Sequence, residues 1–392
     1  MSLLPVAEAQ ARLLALATLP PIETAALVEA AGRWAASDIV ARRTQPAADL
    51  STMDGYAIRF ADLPGPWRVI GESRAGAGFD GVIEGGQAAR IFTGAPLPEG
   101  ADTILVQEEA TRDGDRLLLL GGGPPHRGSS IRAKGGDFAE GTVLVAAGDR
   151  LTPGRIAAAA MGGHGALSVR RRPRVTLIST GDELVPPGEP VSGVMLPASN
   201  GAMLQALIGG SASVRDAGII PDRLDALVTA FRQADADIIV TTGGASVGDH
   251  DLVRPALLEA GAELDFWRIA MRPGKPLLAG KLGDTIVLGL PGNPVSAFVT
   301  AQLFLLPLIA HLGGASAPIP QTEPAILDAP LPAVGNRDDY VRARLSRGRG
   351  TPLANQDSAA LATLAAADAL IVRPAGAPPA LVDEYVDILR IA

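Results

Sequence analysis

The sequence predicts a multidomain protein in which a large α/β domain is combined with smaller β-rich and helical domains. Strand-like and helix-like segments alternate between residues 174 and 312, a pattern typical of a mostly parallel sheet covered on both faces. Short apolar runs broken by glycine and proline follow one another in residues 41–137, which indicates a small β-rich domain. The proline-spaced tail, residues 325–392, repeats that spacing and indicates a second one.

The segments that flank the first β-rich region are predicted to form one helical domain. Val6–Leu19 and Ile22–Ser37 read as amphipathic helices, separated by two prolines. Thr142–Val169 also reads as helical and could pack against them, which would make the β-rich region an insertion. The predicted domains are residues 1–40 with 138–169, residues 41–137, residues 170–314 and residues 315–392.

The α/β region places carboxylates where ligands bind in such folds. The predicted parallel strands are Val175–Ile178, Val214–Ile220, Ile238–Thr242 and Thr285–Leu290. Ligands bind beyond the carboxyl ends of parallel strands, so the turns that follow these strands should meet at one edge. The carboxylates in those turns are Asp182, Glu183, Asp222, Asp249 and Asp251. Any one of them alone could instead be a helix cap.

The glycine-rich loop at residues 241–251 is the most informative stretch of the chain. It joins a buried strand to a helix predicted at Leu252–Ala260, and this arrangement exposes backbone N–H groups that bind anions. Asp249 and Asp251 end the loop, which suits a phosphate bound together with a hard cation. The alternative is a tight turn that only caps the helix.

Two other loops combine turns with charged side chains. The Met271–Pro276 loop carries two cations around a rigid Pro-Gly bend, which suits an oxyanion, although a surface turn is the alternative. The Ile131–Asp137 loop contains Arg132, Lys134 and Asp137, and could hold an anion and a cation together. A solvated charged turn is the alternative for this loop.

Composition excludes several classes of protein. The 392 residues include no cysteine, which excludes disulfides, thiolate nucleophiles and sulfur-ligated zinc, and with four histidines it favours magnesium on oxygen ligands. The net charge of −8 argues against a general nucleic-acid binder, and the basic run Arg170–Arg174 is predicted as a linker. Because neither a signal peptide nor an apolar stretch long enough to span a membrane is evident, a cytoplasmic protein is predicted.

Taken together, the motifs make the chain resemble the MoeA family of molybdopterin molybdenumtransferases, whose eukaryotic relative is the gephyrin E domain. The resemblance extends from about residue 5 to the end of the chain, and its specificity lies in the order of the motifs. They are Ser51–Ala57, Thr93–Pro96, Ile131–Asp137, Ser179–Leu184, Gly218–Ile220, Thr242–Gly248, Pro273–Pro276 and Gly289–Ala297.

The resemblance implies an architecture and a reaction. The architecture is an elongated helical N-terminal domain, an inserted β domain, a three-layer α/β molybdopterin-binding domain and a small C-terminal β-barrel-like domain. The implied protein is a homodimer whose cleft lies between the α/β domain of one subunit and N-terminal parts of the other. The implied reaction takes molybdate and adenylylated molybdopterin and yields molybdenum cofactor and AMP, with Mg²⁺. A pterin-adenylating protein and molybdoenzyme chaperones are the implied protein partners.

The resemblance implies functional positions at Asp54, Thr93, Arg132, Asp137, Glu183, Asp222, Asp251, Lys275, Arg342 and Ser358. We infer the roles from the chemistry of these residues and of the loops around them. The predicted catalytic residues are Asp54, Asp137, Glu183, Asp251 and Lys275. The predicted substrate-binding residues are Thr93, Arg132, Gly243, Gly244, Ser246, Arg272, Asn293, Arg342 and Ser358. The predicted magnesium ligands are Glu183, Asp222, Asp249 and Asp251.

Four positions depart from the usual pattern of the family. Ala198 stands where an aspartate is frequent, and Arg223 follows Asp222 where a second aspartate is common. Arg272 replaces a frequent lysine, and Asp357 replaces a glycine. These departures concern contacts to the pterin and to molybdate rather than the fold.

Two other functions are compatible with parts of the sequence. A pterin adenylyltransferase would need only the α/β domain, and the segments Asp49–Ala57 and Ile131–Asp137 argue against it. A non-enzymatic scaffold, as the gephyrin E domain is for receptor tails, is the other alternative, and the acidic edge and Lys275 favour chemistry instead. The choice between molybdate and tungstate is left open by the sequence.

Overall fold

The structure is a computed structural model that describes residues 3–243 and 252–391. Its α-helices are Val6–Ala15, Leu27–Ala30, Pro153–Met161, Ser199–Ile208, Leu224–Gln233, Val253–Ala260, Pro294–Thr300, Leu306–Leu312 and Leu361–Ala365. Single 3₁₀ turns occur at Phe60–Asp62, Gln107–Glu109 and Gly209–Ser211. A multidomain α/β plus β architecture is confirmed, whereas the domain boundaries at residues 40, 137, 169 and 314 stay predictions.

A six-stranded sheet forms the centre of the α/β part. Its strands lie in the order Ser213–Ile220, Arg174–Thr180, Ile238–Thr242, Thr285–Leu290, Pro276–Leu282 and Glu263–Arg268. The first four strands are parallel, as predicted, and the last two are antiparallel additions that the sequence reading missed. The central strand Ile238–Thr242 is buried at every position, which explains its continuous run of apolar and β-branched residues.

Helices cover both faces of this sheet and make three layers. Ile239 lies with the helices Leu224–Gln233 and Val253–Ala260 in one hydrophobic core. Its neighbours Ile238 and Val240 lie in the larger core on the other face, together with Ser199–Ile208 and the long helix that follows Thr285–Leu290. Alternate residues of one strand therefore stabilise opposite layers, and all the parallel strands end at the same uncovered edge.

The long helix Pro294–Leu312 is the main apolar element of the larger core. It contains a π-helical turn at Ala301–Leu305, and Gln10 Nε2 donates to the carbonyl oxygen of Leu303 at 2.8 Å, which ties the first helix to it. Among the described residues it is long and apolar enough to cross a membrane, so the expectation that no such stretch exists is wrong. Because 78% of that stretch is buried inside the structure, it packs as a core helix.

The N-terminal part contains less helix than predicted. Ile22–Ala26 and Ala166–Arg170 form an antiparallel strand pair, although both lie within segments predicted as helical. Pro153 begins and Gly162 ends the helix within the second segment, because proline favours the first helical turn and the Gly162–Gly165 region interrupts the periodicity. Residues 25–39 and 145–169 nevertheless share one hydrophobic core, as predicted, whereas the first helix Val6–Ala15 packs in the core of the α/β part instead.

Two further sheets are built from the predicted β-rich regions. The first lies between the flanking segments, in the order Thr103–Val106, Gly55–Ile58, Gln87–Ile91, Trp67–Ser73, Arg116–Leu119 and Ala110–Asp113. The C-terminal sheet has the order Met271–Arg272, Asp338–Ser346, Arg349–Pro352, Glu323–Leu327, Tyr385–Arg390 and Ala369–Arg373. Its second and last strands also pair, so it closes into a small barrel. Two-stranded ribbons join Ile39–Val40 to Val143–Val145, Leu50–Ser51 to Ile131–Arg132, and Leu184–Val185 to Leu196–Pro197.

The basic run before the sheet is tied to it by one carboxylate. Both terminal nitrogens of Arg171 donate to Asp237 at 2.9 Å, and the backbone N–H of Arg174 donates to the same carboxylate at 2.7 Å. Burial alone would raise the pKa of Asp237, but these hydrogen bonds and charges lower it overall. These bonds attach the basic run Arg170–Arg174 to the sheet, which agrees with the prediction that this run is a linker.

Replacing Asp237 with Asn should lower the stability of the protein in a pH-dependent way. A lowered pKa means that the ionised carboxylate stabilises the fold above the unfolded-state pKa of about 3.9, and that this contribution is lost as pH falls through the folded-state pKa. We expect Asp237→Asn to cost about 1–2 kcal/mol at pH 7. Urea melts from pH 7 to pH 3 should show the difference shrinking below about pH 4; a difference that grows with acid would contradict this assignment.

Candidate functional site

A cleft of about 1110 Å³ opens at the carboxyl edge of the parallel sheet and extends to the C-terminal barrel. It collects residues from segments that are far apart in sequence, because the parallel strands all deliver their following loops to this edge. The residues of the predicted site that line it are Glu183, Asp222, Gly243, Arg272, Lys275, Asn293 and Ser358.

One wall of the cleft is acidic. Glu183 and Asp222 follow neighbouring parallel strands, and the backbone N–H of Asp222 donates to Asp182 Oδ1 at 3.0 Å. Burial raises the pKa of Asp222, and the nearby charges of Asp182 and Glu183 raise it further. Carboxylates that repel one another in this way suit a shared cation. Within residues 3–243 and 252–391, however, no group of three His, Asp or Glu side chains is already placed to hold a metal ion.

The start of the glycine-rich loop is shaped by a close backbone contact. Gly243 has φ +93°, and a Cβ atom there would lie 2.4 Å from the carbonyl oxygen of Thr180. Only glycine fits this position, so the loop leaves strand Ile238–Thr242 directly against the neighbouring strand. The predicted residues Gly244, Ser246, Asp249 and Asp251 lie outside the described residues.

The opposite wall is basic. Arg272 and Lys275 flank Gly274, which has φ +105° and whose Cβ would lie 2.5 Å from Thr300 Cγ2. The carbonyl oxygen of Lys275 accepts a hydrogen bond from the N–H of Ile269 at 3.0 Å, which closes the bend. In the described part of the chain, the side chains of Arg272 and Lys275 make no hydrogen bond or salt bridge. Both cations are therefore available to an anionic ligand.

The barrel contributes the third wall through the loop that ends at Ser358. Asn293 Nδ2 donates to Ser358 Oγ at 2.8 Å, and the N–H of Val295 donates to the carbonyl oxygen of Ser358 at 3.1 Å. Asn200 Nδ2 donates to the carbonyl oxygen of Gly292 at 2.8 Å, which fixes the turn before this contact. The α/β part and the barrel are thus joined by hydrogen bonds within the cleft.

Arg342 lies behind this third wall and does not line the cleft. Its side chain is only 1% exposed, and burial lowers its pKa. Its terminal nitrogens donate to the carbonyl oxygens of Asp357 at 2.9 Å and Asn355 at 3.1 Å. The Arg342 side chain therefore holds the loop that ends at Ser358. A direct contact between Arg342 and substrate stays a prediction.

The four family departures have different surroundings. Ala198 lines the cleft and leaves the helix Ser199–Ile208 without a side-chain cap. Arg223 pairs with exposed Asp225 at 2.9 Å and does not line the cleft. Asp357 lines the cleft, and its Oδ1 accepts a hydrogen bond from the N–H of Ala359 at 2.8 Å. Three of the four departures, Ala198, Arg272 and Asp357, therefore form part of the cleft wall.

The predicted residues of the inserted region, Asp54, Thr93, Arg132 and Asp137, do not line the cleft. Asp54 Oδ1 accepts hydrogen bonds from the backbone N–H and the hydroxyl of Thr93, both at 2.8 Å. These two bonds lower the pKa of Asp54. The pair is a satisfied turn contact, and its carboxylate stays ionised at neutral pH.

The motifs of the inserted region nevertheless converge. The strand Leu50–Ser51 pairs with Ile131–Arg132, and the N–H of Ser51 donates to the carbonyl oxygen of Ala95 at 2.9 Å. The N–H of Lys134 donates to Asp49 Oδ1 at 2.7 Å. Three segments that together span about 80 residues of the sequence therefore form a second polar group on the same chain.

Sequence reasoning gave no site role to several polar residues of the cleft, among them Asn200 and Arg337. Asn200 is the last residue of the Leu196–Asn200 segment, in which the sequence analysis considered only the missing aspartate at Ala198. Its polar side chain so close to Ala198 could have indicated a cleft residue. Arg337 lines the barrel side of the cleft. Nothing in its local sequence distinguishes it from a surface arginine, because only the strand pairing brings it to the cleft.

Family models match almost the whole chain. The MoeA N-terminal region, domains I and II, matches residues 4–163, and a probable molybdopterin binding domain matches residues 176–311. The MoeA C-terminal region, domain IV, matches residues 324–391. These matches cover the flanking and inserted segments, the α/β part and the barrel in the order in which the structure shows them.

Individual relatives agree with these models. A molybdopterin molybdenumtransferase of Bacillus subtilis is 33% identical over 390 residues, which is 95% of this chain and 90% of the relative. One from Haemophilus influenzae is 39% identical over 293 residues, covering 74% and 72%. The crystal structure of a molybdopterin biosynthesis MoeA protein from Pyrococcus horikoshii has a TM-score of 0.83 at 27% identity and 99% coverage of both chains. The chain belongs to the MoeA family of molybdopterin molybdenumtransferases.

Proposed function

We propose that this protein inserts molybdate into adenylylated molybdopterin and releases AMP and molybdenum cofactor. The observation that carries this proposal is one cleft with an acidic wall and, opposite it, two cations that pair with none of the described residues. The relatives from Bacillus subtilis and Haemophilus influenzae carry the name of this activity. Magnesium dependence, a cytoplasmic location and a homodimeric assembly are parts of the same proposal.

The size of the cleft supports a large substrate. Pockets for small ligands usually measure about 300–1,000 Å³, and this cleft reaches about 1110 Å³. A pterin joined through a pyrophosphate to an adenosine needs a long site with room for a further oxyanion. A cleft that runs from the sheet edge to the barrel provides both.

Charge supports an anionic substrate. The chain has a net charge of −8, so a dianion would be repelled by most of its surface. Arg272 and Lys275 offer it a local positive wall without first having to break an ion pair. The backbone at Gly243 can approach a phosphate closely because no side chain intervenes. Asn293 and Ser358 then hold the third wall in position.

The acidic wall supports a hard cation near the phosphates. Burial raises the pKa of Asp222 most, and the neighbouring charges of Asp182 and Glu183 raise it further. Oxygen donors of this type are those that Mg²⁺ prefers. Glu183 and Asp222 are the described residues that would hold it, with Asp249 and Asp251 as the further proposed ligands. Magnesium, when bound, offsets the phosphate charge and makes AMP a better leaving group.

A pterin adenylyltransferase is the alternative that the same α/β domain would permit. That enzyme would use ATP, and it would have no need of the basic wall at Arg272 and Lys275 for molybdate. The barrel wall around Ser358 and the converged motifs of the inserted region also favour molybdate insertion. Incubation with ATP and molybdopterin separates the two functions, because only the alternative makes the adenylate.

Purified protein should release AMP from adenylylated molybdopterin in a molybdate-dependent manner. We expect Lys275→Ala to weaken the apparent affinity for molybdate by about 10- to 100-fold, because it removes a charge-assisted contact. Thermal melts should change little, since the Lys275 side chain has no partner among the residues that the structure describes. Lys281→Ala, near the far end of the strand that begins at Pro276, is the matched control. AMP release without molybdate, or equal effects of both variants, would contradict the proposal.

The same assay can test the magnesium assignment. Asp222→Asn should raise the Mg²⁺ concentration that gives half-maximal AMP release about tenfold, because it removes one anionic oxygen ligand. Asp225→Asn removes the same charge three residues away on an exposed side chain and should leave that concentration unchanged. An unchanged magnesium dependence in a folded Asp222→Asn protein would remove this residue from the metal site.

The second polar group around Asp54 motivates the proposed homodimer. Because it lies outside the cleft of its own chain, it would serve catalysis if it faced the cleft of a partner subunit. Asp54→Ala and Lys275→Ala proteins should then complement each other when dissociated and mixed. Random re-pairing makes half the dimers mixed, each with one intact cleft, so about a quarter of wild-type activity is expected. Mixed dimers that form and stay inactive would refute the shared cleft.

A further inference from the structure

Arg90 is a half-buried arginine in the sheet of the inserted region, and the sequence assigned it no role. Its guanidinium carbon lies 5.1 Å from the ring centre of Tyr56 and 4.8 Å from that of Phe92. Tyr56 is its direct partner on the neighbouring strand Gly55–Ile58, and Phe92 follows its own strand Gln87–Ile91. Two rings within about 6 Å of a planar cation attract it and restrict its motion. The guanidinium of Arg90 is therefore fixed by the fold.

Both terminal nitrogens of Arg90 are used to hold the backbone around Asp54. Nη1 donates to the carbonyl oxygen of Gly55 at 2.9 Å, and Nη2 donates to Gln107 Oε1 at 2.7 Å. The backbone N–H of Gln107 donates in turn to the carbonyl oxygen of Asp54 at 3.0 Å. Arg90 therefore fixes the carbonyl group of Gly55 directly and that of Asp54 through Gln107.

The carboxylate of Asp54 is held by the strand that carries Arg90. Thr93, three residues after Arg90, donates its backbone N–H and its hydroxyl to Asp54 Oδ1, both at 2.8 Å. These two bonds lower the pKa of Asp54 most, and the positive charge of Arg90 lowers it further. In the part of the chain that the structure describes, Arg90 forms no salt bridge with a carboxylate. It therefore acts on Asp54 through the backbone and through its charge, without touching the carboxylate.

We propose that Arg90 is the positioning residue of the Asp54–Thr93 pair, which it holds in place through the backbone of Gly55 and the side chain of Gln107. This inference rests on the proposed function, in which Asp54 serves a cleft shared with a second subunit. Two hydrogen bonds from one rigid fork fix a direction as well as a distance, which a single ammonium group does not. A lysine at this position would keep the charge and lose the fork.

The pKa of Asp54 tests this role without any substrate. NMR titration of ¹³C-labelled aspartate carboxyl groups, with the signal of Asp54 assigned through Asp54→Ala, should show a higher pKa in Arg90→Gln than in the wild type. Positioning predicts a rise in Arg90→Lys as well, because the hydrogen bonds that keep Asp54 against Thr93 loosen although the charge remains. A rise confined to Arg90→Gln would leave Arg90 as a distant charge and overturn the positioning role.

AMP release tests the same role in catalysis. We expect Arg90→Gln to lower kcat about tenfold with a smaller effect on KM, because a misplaced catalytic group slows the chemical step. In an Asp54→Ala background the same substitution should change the remaining rate less than about twofold, since no carboxylate is left to position. Equal losses in both backgrounds would show that Arg90 acts independently of Asp54, which contradicts the proposal.

Arg68→Gln is the matched control, because it removes an exposed arginine from the adjacent strand Trp67–Ser73 of the same sheet. It should leave the pKa of Asp54 and the rate of AMP release unchanged, and a control that matches Arg90→Gln in both would overturn the proposal. Should Arg90→Gln fail to fold, Arg90→Lys carries both measurements. A wild type that releases no AMP would refute the proposed function, and the pKa of Asp54 would still decide the role of Arg90.

Discussion

The cleft depends above all on the parallel pairing of strand Arg174–Thr180 with strand Ile238–Thr242. Their backbone ladder sets Ser179 opposite Thr242, so the loops that follow the two strands begin together at the edge of the sheet. Gly243 then turns against the carbonyl oxygen of Thr180, where no side chain would fit. The acidic loop after Thr180 therefore begins directly beside Gly243 through backbone geometry alone.

The separation of charge in the cleft follows from this arrangement. Carboxylates come from loops after parallel strands, whereas the cations come from the antiparallel side of the sheet and from the barrel. Arg272, Lys275 and Arg337 form no salt bridge with the described carboxylates, so the opposite walls do not neutralise each other. Walls of unlike charge that are held apart in this way are electrostatically costly. The strand pairs and buried cores hold both walls in place despite this cost.

The C-terminal barrel forms part of the cleft despite its small size. It pairs a strand with Met271–Arg272 and sends a loop back to Asn293, and the buried Arg342 holds that loop from behind. The inserted region, by contrast, gathers its polar motifs around Asp54 at a place outside this cleft. One chain therefore carries two separate groups of polar residues, which is the physical reason for the proposed second subunit.

The sequence by itself determined the elements with strong local patterns. The four parallel strands, the helix after Pro294 and three of the six barrel strands follow from apolar runs, and Gly243, Arg272 and Lys275 follow from their turns. It misread Ile22–Ala26 and Ala166–Arg170 as helix, because alanine favours a helix and only pairing between these distant segments selects the strand. Tertiary structure alone decided that Arg342 lies behind a loop and that Arg337 reaches the cleft. Both outcomes depend on pairing between distant strands, which no local pattern encodes.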